Sequence, residues 1–255
     1  MWRRPVRSSL FRIASLVAPI LFAGGPAFAN LLANGSFDAD VGISSSSCDG
    51  YRYCKGYDPS VNDVPGWYTI GKGGVDSSVL LLSNDYRETD AGDGKPLRFT
   101  AANGTQSLDL TGAGNQGENG VKQSVALQSG VSYLLSFYVG NQYNSAPGYP
   151  LASSIGLYIN GVLVTNYTNG KSQKVDDVTW EQFKYVFTAP DDFTTIAFLN
   201  ETPVGDNFAG LDGVNLVLMP EPAALTEMTV GALAIGLIWH LRQRRREAPE
   251  TASAA

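Results

Sequence analysis

Apolar and polar residues alternate along several short stretches in the second half of the chain. Between positions 131 and 139 every second residue is large and apolar, and the stretch 179–189 repeats this spacing through Phe183, Tyr185 and Phe187, with Trp180 before them. Successive side chains of a β-strand point to opposite faces of its sheet, so this spacing is typical of strands with one buried face. We therefore predict strands at both positions.

The same criterion predicts further strands, and no stretch before position 220 keeps the 3.6-residue period of a helix. Asn160-Gly161 lies between two apolar runs and predicts a tight hairpin over 154–164, because both residues tolerate the positive φ of a type I′ turn. Short strands separated by many of the 28 glycines indicate an all-β sandwich or barrel. The other predicted strands lie at 31–37, 67–70, 79–82, 106–110, 193–199 and 211–218, and long loops at 40–65, 84–96 and 141–151.

The N-terminal segment combines arginines, an apolar run and small residues. Four arginines precede position 13, the run 13–23 is apolar, and Ala27 and Ala29 form a small-x-small sequence. This order is that of a secretory signal peptide, with cleavage expected after Ala29. An uncleaved anchor is the alternative, but the run is short for a membrane span and Pro19 interrupts it. We expect residues 1–29 to be removed on export.

The C-terminal segment has a proline motif, an apolar run and an arginine cluster, in that order. Prolines lack an N–H and end the preceding strand. Residues 223–241 have about the length that a helix needs to cross a bilayer, and the arginines predict its cytoplasmic side. We predict a single transmembrane helix at about 223–241 and a disordered cytoplasmic tail at 247–255. The motif is Pro220, Glu221 and Pro222, and the cluster is Arg242, Arg244, Arg245 and Arg246.

Over 220–246 this order resembles the PEP-CTERM sorting tail of Gram-negative bacteria. The resemblance implies an exosortase as partner, a membrane cysteine protease that cuts near the Pro-Glu-Pro, and a place at the cell surface or in the exopolysaccharide matrix. Two features depart from the pattern: Glu227 puts a carboxylate inside the apolar run, and the chain continues from 247 to 255. The alternative is an ordinary C-terminal anchor that is never cut.

The predicted domain at 30–219 is strongly acidic. Of 18 basic and 24 acidic residues, four arginines precede Asn30, and four arginines and four glutamates follow Met219, which leaves 10 basic against 20 acidic residues. Such a surface repels nucleic acid and anionic lipid. We therefore expect no nucleic-acid partner.

Cys48 and Cys54 are the chain's two cysteines. In an oxidising compartment we predict a disulfide between them, which closes a small loop and stabilises the fold by ~2 kcal/mol in the chain-entropy picture. The alternative, a zinc site, would need further ligands, and no histidine lies nearby in the sequence.

Seven short motifs follow one another between positions 34 and 214. They are Asn-Gly-Ser-Phe-Asp at 34–38, Val-Pro-Gly-Trp at 64–67, Ser-Leu-Asp-Leu-Thr-Gly at 107–112, Val-Lys-Gln-Ser-Val at 121–125, Gly-Val-Ser-Tyr-Leu-Leu-Ser-Phe at 130–137, Trp-Glu-Gln-Phe at 180–183 and Leu-Asp-Gly-Val at 211–214. This succession resembles the galactose-binding-like jelly roll of carbohydrate-binding modules and related surface proteins. It implies a jelly-roll β-sandwich over nearly all of 30–218, and no particular ligand.

The resemblance also implies a structural calcium ion where the first and last strands meet. Asp38 and Asp212 stand at the positions of the family's acidic ligands, and carbonyls of Asn34 or Ser36 are further oxygen donors of the kind that Ca²⁺ takes. Asp38 replaces a longer glutamate, and Gly213 stands where a second aspartate is common. The alternative is that both aspartates only bond their own loops.

Catalysis is the less favoured interpretation of this composition. The single histidine, His240, lies in the predicted membrane span, so the domain has none for a nucleophile pair or a histidine-based metal site. A glycoside hydrolase needs only two carboxylates, but the pairs Asp176-Asp177 and Asp191-Asp192 are neighbours whose side chains point apart. We expect a non-enzymatic protein.

Tyrosines in the predicted loops are the candidate ligand-binding residues. Aromatic planes stack on sugar rings, and polar side chains bond the hydroxyls, so these tyrosines favour polysaccharide binding. The alternative is that they pack as lids over the core. The candidates are Tyr51, Tyr53 and Tyr57 in the cysteine loop, and Tyr143 and Tyr149 after Gly140. We expect an exported surface or matrix protein, with a lectin-like module and a glycoside hydrolase as alternatives.

Overall fold

The computed structural model describes residues 29–48, 51–71, 79–89, 94, 96–112, 119–142, 152–171, 177–203, 208–219, 237, 239 and 242, with the backbone alone for Tyr51 and Thr89. This part of the chain is almost entirely β-structure, with one 3-10 turn at Ile43–Ser45. The strands are β1 (Ser47–Cys48), β2 (Tyr51–Arg52), β3 (Cys54–Tyr57), β4 (Tyr68–Ile70), β5 (Val79–Ser83), β6 (Arg87–Thr89), β7 (Pro96–Arg98), β8 (Gln106–Asp109), β9 (Gly120–Ala126), β10 (Ser132–Asn141), β11 (Ser153–Ile159), β12 (Val162–Asn169), β13 (Thr179–Thr188), β14 (Phe193–Asn200) and β15 (Gly210–Leu218).

Two antiparallel sheets form a sandwich, which confirms the predicted all-β sandwich. The six-stranded sheet has the order β13-β10-β15-β8-β5-β3, and the five-stranded sheet has the order β12-β11-β14-β9-β4. Two small ladders, β1-β2 and β6-β7, accompany them. Most strands that pair in the two large sheets are distant in sequence. Within each strand, the alternation of apolar and polar residues determines which side chains face the core.

The core between the sheets consists of the alternating apolar residues. In β10, Tyr133, Leu135, Phe137 and Val139 are all buried, as predicted. The ring of Phe137 lies 4.9 Å from that of Phe198 in the opposite sheet. Burial of such aromatic and aliphatic side chains is the main stabilising contribution in a fold of this kind.

A second apolar cluster lies on the other side of the six-stranded sheet. There Phe99 packs against Tyr86 and Phe208, with ring centroids 5.1 and 5.2 Å apart. Leu80 and Leu82 face this cluster, whereas Val79 and Leu81 face the main core, so β5 is buried on both faces. Trp180 also packs on the second cluster. Phe183 and Tyr185, with which the sequence pattern grouped it, pack against the main core on the other face of the sheet.

The predicted strand at 31–37 is wrong, because this segment is a series of bends and turns. Asn34 has φ 47° and Phe37 φ 59°, a left-handed backbone that no strand adopts. Gln123 instead holds the segment, since it accepts from the Ala33 N–H and donates to the Ala33 carbonyl. The predicted loops at 40–65 and 84–96 contain the short strands β1, β2, β3 and β6.

The predicted hairpin is confirmed between β11 and β12. Asn160 has φ 49° and Gly161 φ 78°, the paired positive φ values that the sequence pattern required. The hairpin carries β12 to the edge of the five-stranded sheet.

Both predicted targeting segments lie largely outside the described residues. Ala27 and the motif Pro220-Glu221-Pro222 fall there, as do Arg244, Arg245 and Arg246. Leu237, Trp239 and Arg242 are helical and exposed. Among the described residues, no helix has the length and apolar character that crossing a membrane requires.

Candidate functional site

The outer face of the five-stranded sheet carries exposed aromatic side chains. Strand register places Tyr158 opposite Ala197, Ala197 opposite Lys122, and Lys122 opposite Tyr68. These four residues therefore form one row across β11, β14, β9 and β4 on the side away from the core. Strands lie about 4.8 Å apart, so the two tyrosines at the ends of the row are separated by roughly 14 Å.

Tyr158 lies over the backbone of its own strand. A Cβ atom on Gly156 would lie 2.9 Å from Tyr158 Cε2 and 3.0 Å from Glu201 Oε1, so only glycine leaves room for the ring here. The Tyr158 hydroxyl donates to Glu201 Oε1 at 2.8 Å. This bond raises the pKa of Tyr158 above its ordinary value. The Tyr158 ring thus packs in the space left by the missing side chain of Gly156, and the bond from its hydroxyl to Glu201 fixes its orientation.

A groove of about 570 Å³ runs along this face, which we call the sheet-face groove. Its volume lies in the range typical of ligand sites in proteins. Phe193, the first residue of β14, lies on the same face of the strand as Ala197 and is 75% exposed. Tyr68 is 61% exposed at the sheet edge. The groove is lined by Ile70, Lys122, Tyr158, Asn160, Gly161, Thr195, Ala197 and Leu199.

Polar groups lie beside these aromatic rings. Asn160 accepts from the Thr195 N–H at 2.7 Å and donates to Asp191 Oδ2 at 3.1 Å, which fixes its amide at the hairpin. Ser124 and Thr195 hydroxyls are 2.8 Å apart on neighbouring strands. Aromatic surface with convergent hydroxyl, amide and amine groups is the chemistry that binds sugar rings and their hydroxyls.

The structure places the predicted ligand tyrosines differently. Tyr57 is 2% exposed and its hydroxyl donates to Asp40 Oδ2 at 2.5 Å, so the expectation that its side chain is exposed is wrong. Burial, together with this bond, raises the pKa of Tyr57. Tyr53 is partly exposed and packs on the second cluster. The side chain of Tyr51 and the whole of Tyr143 and Tyr149 lie outside the described residues.

The predicted disulfide is confirmed. Cys48 and Cys54 are bonded, with Cα atoms 5.5 Å apart. The bridge joins β1 to β3 and lies against the second cluster rather than the sheet-face groove.

Asp38 and Asp212 both bond the loop before β8. Asp38 Oδ1 accepts from the Thr105 N–H at 2.8 Å, and Asp212 Oδ2 accepts from the Asn103 N–H at 2.8 Å. Burial raises the pKa of Asp212 to about 7, and the charge of Asp38 adds to this. The two carboxylates are thus held on the same loop, with Asp212 fully buried.

Other parts of the expected calcium shell are less favourable. The Asn34 carbonyl already accepts from the Phe37 N–H and from Trp67 Nε1. Among the described residues, no three His, Cys, Asp or Glu side chains surround a common metal position. Two carboxylates alone supply fewer oxygens than the six to eight that Ca²⁺ takes.

Sequence reasoning missed Tyr158, which lines the sheet-face groove, and Tyr68, which lies at the end of the same row. Tyr68 stands between buried Trp67 and Thr69, and Tyr158 follows buried Leu157, so alternation alone marks both as outward-facing. What the sequence lacks is the register, since Tyr68 and Tyr158 meet only through the pairing of four strands.

Several solved structures are similar to this chain in overall shape. The Stig cyclase Fisc from Fischerella sp. TAU has 17% identity and a TM-score of 0.49, with 75% of this chain and 98% of that chain covered. A family 35 carbohydrate binding module from Clostridium thermocellum has 14% identity and a TM-score of 0.38, with 65% and 98% covered. The Family 16 Carbohydrate Binding Module-2 has 20% identity and a TM-score of 0.38, with 74% and 99% covered. Such distant similarity transfers neither a ligand nor a reaction.

No curated protein matches the chain. The model of a protein family described as a carbohydrate binding domain matches residues 29–206, which is more than half of the sequence. This match covers the strands that build the sheet-face groove, from β4 to β14. The chain therefore belongs to the carbohydrate binding domain family.

Proposed function

We propose that this protein binds polysaccharide through the sheet-face groove and that it is not an enzyme. The observation that carries the proposal is the outward row from Tyr158 to Tyr68, with Ala197 and Lys122 between them. Exposed aromatic rings are costly to leave in water, and a sugar ring that stacks on them removes apolar surface from solvent. The separation of roughly 14 Å suits an extended glycan better than a single sugar ring.

The carboxylates beside the groove support a binding role rather than hydrolysis. Glu201 bonds Tyr158 at one end, and Asp191 bonds Asn160 at the other. They flank β14, whose eight residues span roughly 24 Å. The two carboxyl groups of a glycoside hydrolase lie about 5 to 9.5 Å apart. The backbone positions of Glu201 and Asp191, at opposite ends of β14, argue against that pairing.

The direct test is retention of the purified full-length chain in native gels that contain neutral glucans, xylans or mannans. We expect Tyr158→Ala and Tyr68→Ala each to weaken retention at least tenfold, because each removes a stacking surface. Tyr53→Ala is the matched control, since it removes a partly exposed tyrosine near the disulfide. If Tyr53→Ala abolishes retention while both groove variants bind normally, the site is the disulfide region and the groove assignment is wrong.

For localisation we propose export through the segment 1–29 and sorting through the segment 220–246. The support is the sequence pattern alone: the small-x-small site at Ala27 and Ala29, and the resemblance to a PEP-CTERM tail. An exosortase would cut the tail near Pro220, release the domain from the inner membrane and leave it at the cell surface or in the exopolysaccharide matrix.

Mass spectrometry of the protein recovered from cells tests this. The expected mature form begins at Asn30 and ends near Pro220. Recovery of the intact chain with both ends from the soluble cytosolic fraction would overturn the export proposal. A mature N-terminus with an uncut C-terminus would favour the ordinary anchor instead.

We also propose a structural Ca²⁺ ion between Asp38 and Asp212. The support is the resemblance to the family's calcium positions and the fact that both carboxylates bond the loop before β8. Calcium should raise the melting temperature, and a chelator should lower it, because a ligand that binds only the folded state stabilises it. Asp212→Asn should abolish this calcium response. An unchanged melting temperature of the unmodified protein in calcium and in chelator would refute the site.

A further inference from the structure

The β6–β7 ladder carries two arginines directly opposite each other. Arg87 pairs with Arg98 in its register, so both side chains leave the same face of the ladder. The neighbouring pair, Glu88 and Leu97, leaves the other face, where Leu97 is buried in the second cluster. Arg98 is exposed and Arg87 is partly exposed. The arginine pair therefore points away from the core, on the side of the sandwich opposite the sheet-face groove.

Two like charges in this position destabilise a strand pair unless something neutralises them. Arg87 donates from Nη1 to the Asn84 carbonyl at 2.7 Å and the Tyr86 carbonyl at 2.6 Å. Within the described part of the chain, neither arginine forms an ion pair; the pairs found there are Lys55–Asp40 and Lys171–Glu181. The backbone bonds fix the Arg87 guanidinium, and the two carbonyl oxygens that accept them carry no formal charge.

Two acidic side chains next to the ladder, among the described residues, bond other groups. Glu88 accepts from the Tyr86 hydroxyl on the opposite face of the ladder. Asp177, whose backbone bridges to Arg98, accepts from the Thr100 N–H at 3.0 Å and its hydroxyl at 2.9 Å. Both carboxylates thus bond groups of the fold, and neither forms a salt bridge with Arg87 or Arg98 in the described part of the chain.

A third guanidinium lies in the same region. β2 packs beside β6, and Arg52 of β2 is exposed, with its Cζ 5.2 Å from the Tyr53 ring centroid. Arginine stacked on an aromatic ring keeps its planar N–H donors available. The surface that contains Arg52, Arg87 and Arg98 is called the arginine face below. It places three guanidinium groups on a domain with twice as many acidic as basic residues.

We propose that the arginine face binds carboxylate groups of an acidic polysaccharide, as a second site separate from the sheet-face groove. The guanidinium fork matches a carboxylate with two parallel hydrogen bonds. The proposal rests on the proposed function only in that the ligand is a polysaccharide. The surrounding negative charge repels polyanions, so retention of one requires a local site rather than general attraction.

The test is retention of the purified full-length chain in native gels that contain polygalacturonate, dextran sulfate or a neutral glucan. We expect Arg98→Gln to weaken retention by polygalacturonate about tenfold and to leave retention by the neutral glucan unchanged. Lys184→Gln is the matched control, because it removes the same charge from an exposed position of β13; it should change retention less than twofold. Arg98→Gln relieves a like-charge pair, so its melting temperature should not fall.

The outcomes separate this site from the groove. Equal weakening by Arg98→Gln and Lys184→Gln would show net charge alone and overturn the proposal, as would retention by dextran sulfate without retention by polygalacturonate. Arg98-dependent retention by polygalacturonate that survives Tyr158→Ala supports the arginine face even if no neutral glycan binds. If Tyr158→Ala loses retention by the neutral glucan and Arg98→Gln keeps it, the neutral glucan binds in the sheet-face groove and not on the arginine face.

Discussion

The two outer faces of the sandwich differ in how far the chain covers them. On the six-stranded sheet, the segment around β6 and β7 covers the strands and forms a second core, in which Phe99 and Phe208 are 1% and 0% exposed. On the five-stranded sheet, Phe193 at the start of β14 and Tyr68 on the edge strand β4 remain 75% and 61% exposed. Aromatic side chains thus occur on both faces, buried on one and open on the other.

This difference shows which aromatic residues stabilise the fold and which are available to a ligand. A covered ring contributes its burial to the stability of the chain, whereas an open ring contributes little until something binds on it. The contrast predicts that equal substitutions on the two faces have opposite consequences, one for folding and the other for binding.

The largest expected effect is on the covered face. Phe99→Ala removes a ring that packs between Tyr86 and Phe208, and it should lower the free energy of unfolding by about 3 to 5 kcal/mol. Urea unfolding followed by tryptophan fluorescence measures this. Phe193→Ala is the matched control on the open face and should cost less than about 0.5 kcal/mol. Similar losses in both variants would remove the distinction between the faces.

A buried carboxylate near the covered face predicts a pH dependence. Burial raises the pKa of Asp109 from 3.8 to about 7, although its Oδ1 accepts bonds from Thr111 and Ala209. The folded state therefore keeps a proton that the unfolded state releases near pH 4, so stability should fall as pH rises from about 4 to 7. Asp109→Asn keeps the accepting oxygen and should reduce this slope to about half, because burial also raises the pKa of Asp212 to about 7, with a gain on the order of 2 kcal/mol above pH 7. An unchanged slope in the variant would assign the pH dependence to other groups.

A smaller effect is expected from the disulfide beside the second cluster. Replacing both Cys48 and Cys54 with alanine should lower the free energy of unfolding by ~2 kcal/mol, because the unfolded chain regains the freedom of a short loop. Retention by neutral glucans should not change, since the bridge lies against the second cluster and not at the sheet-face groove. A reducing agent should destabilise the unmodified protein and leave the double variant unaffected; destabilisation of both would point to another cause.

The contrast between the faces also explains what the sequence could and could not predict. The inner faces followed directly from alternation, as Tyr133, Leu135 and Phe137 show, because burial imposes a period of two on each strand. The sequence suggested Tyr57 as a ligand-binding residue, because it lies in a Gly- and Ser-rich segment. Nothing in that segment indicates that the Tyr57 hydroxyl donates a hydrogen bond to Asp40 inside the protein. The groove stayed hidden for a different reason, since its residues come from four strands whose pairing no local pattern specifies.

The smallest expected effect tests the open face without removing any aromatic ring. Gly156→Ala places a methyl group 2.9 Å from Tyr158 Cε2, so the ring must tilt away from the strand and its bond to Glu201 must lengthen. We expect affinity for the retained glycan to fall about fivefold, or ~1 kcal/mol, with little change in melting temperature because the site is at the surface. Gly170→Ala is the matched control, since a Cβ there meets nothing within 4 Å. Unchanged affinity in Gly156→Ala would mean that the orientation of Tyr158 is irrelevant to binding, and the sheet-face groove would lose the feature that best distinguishes it from an ordinary exposed strand surface.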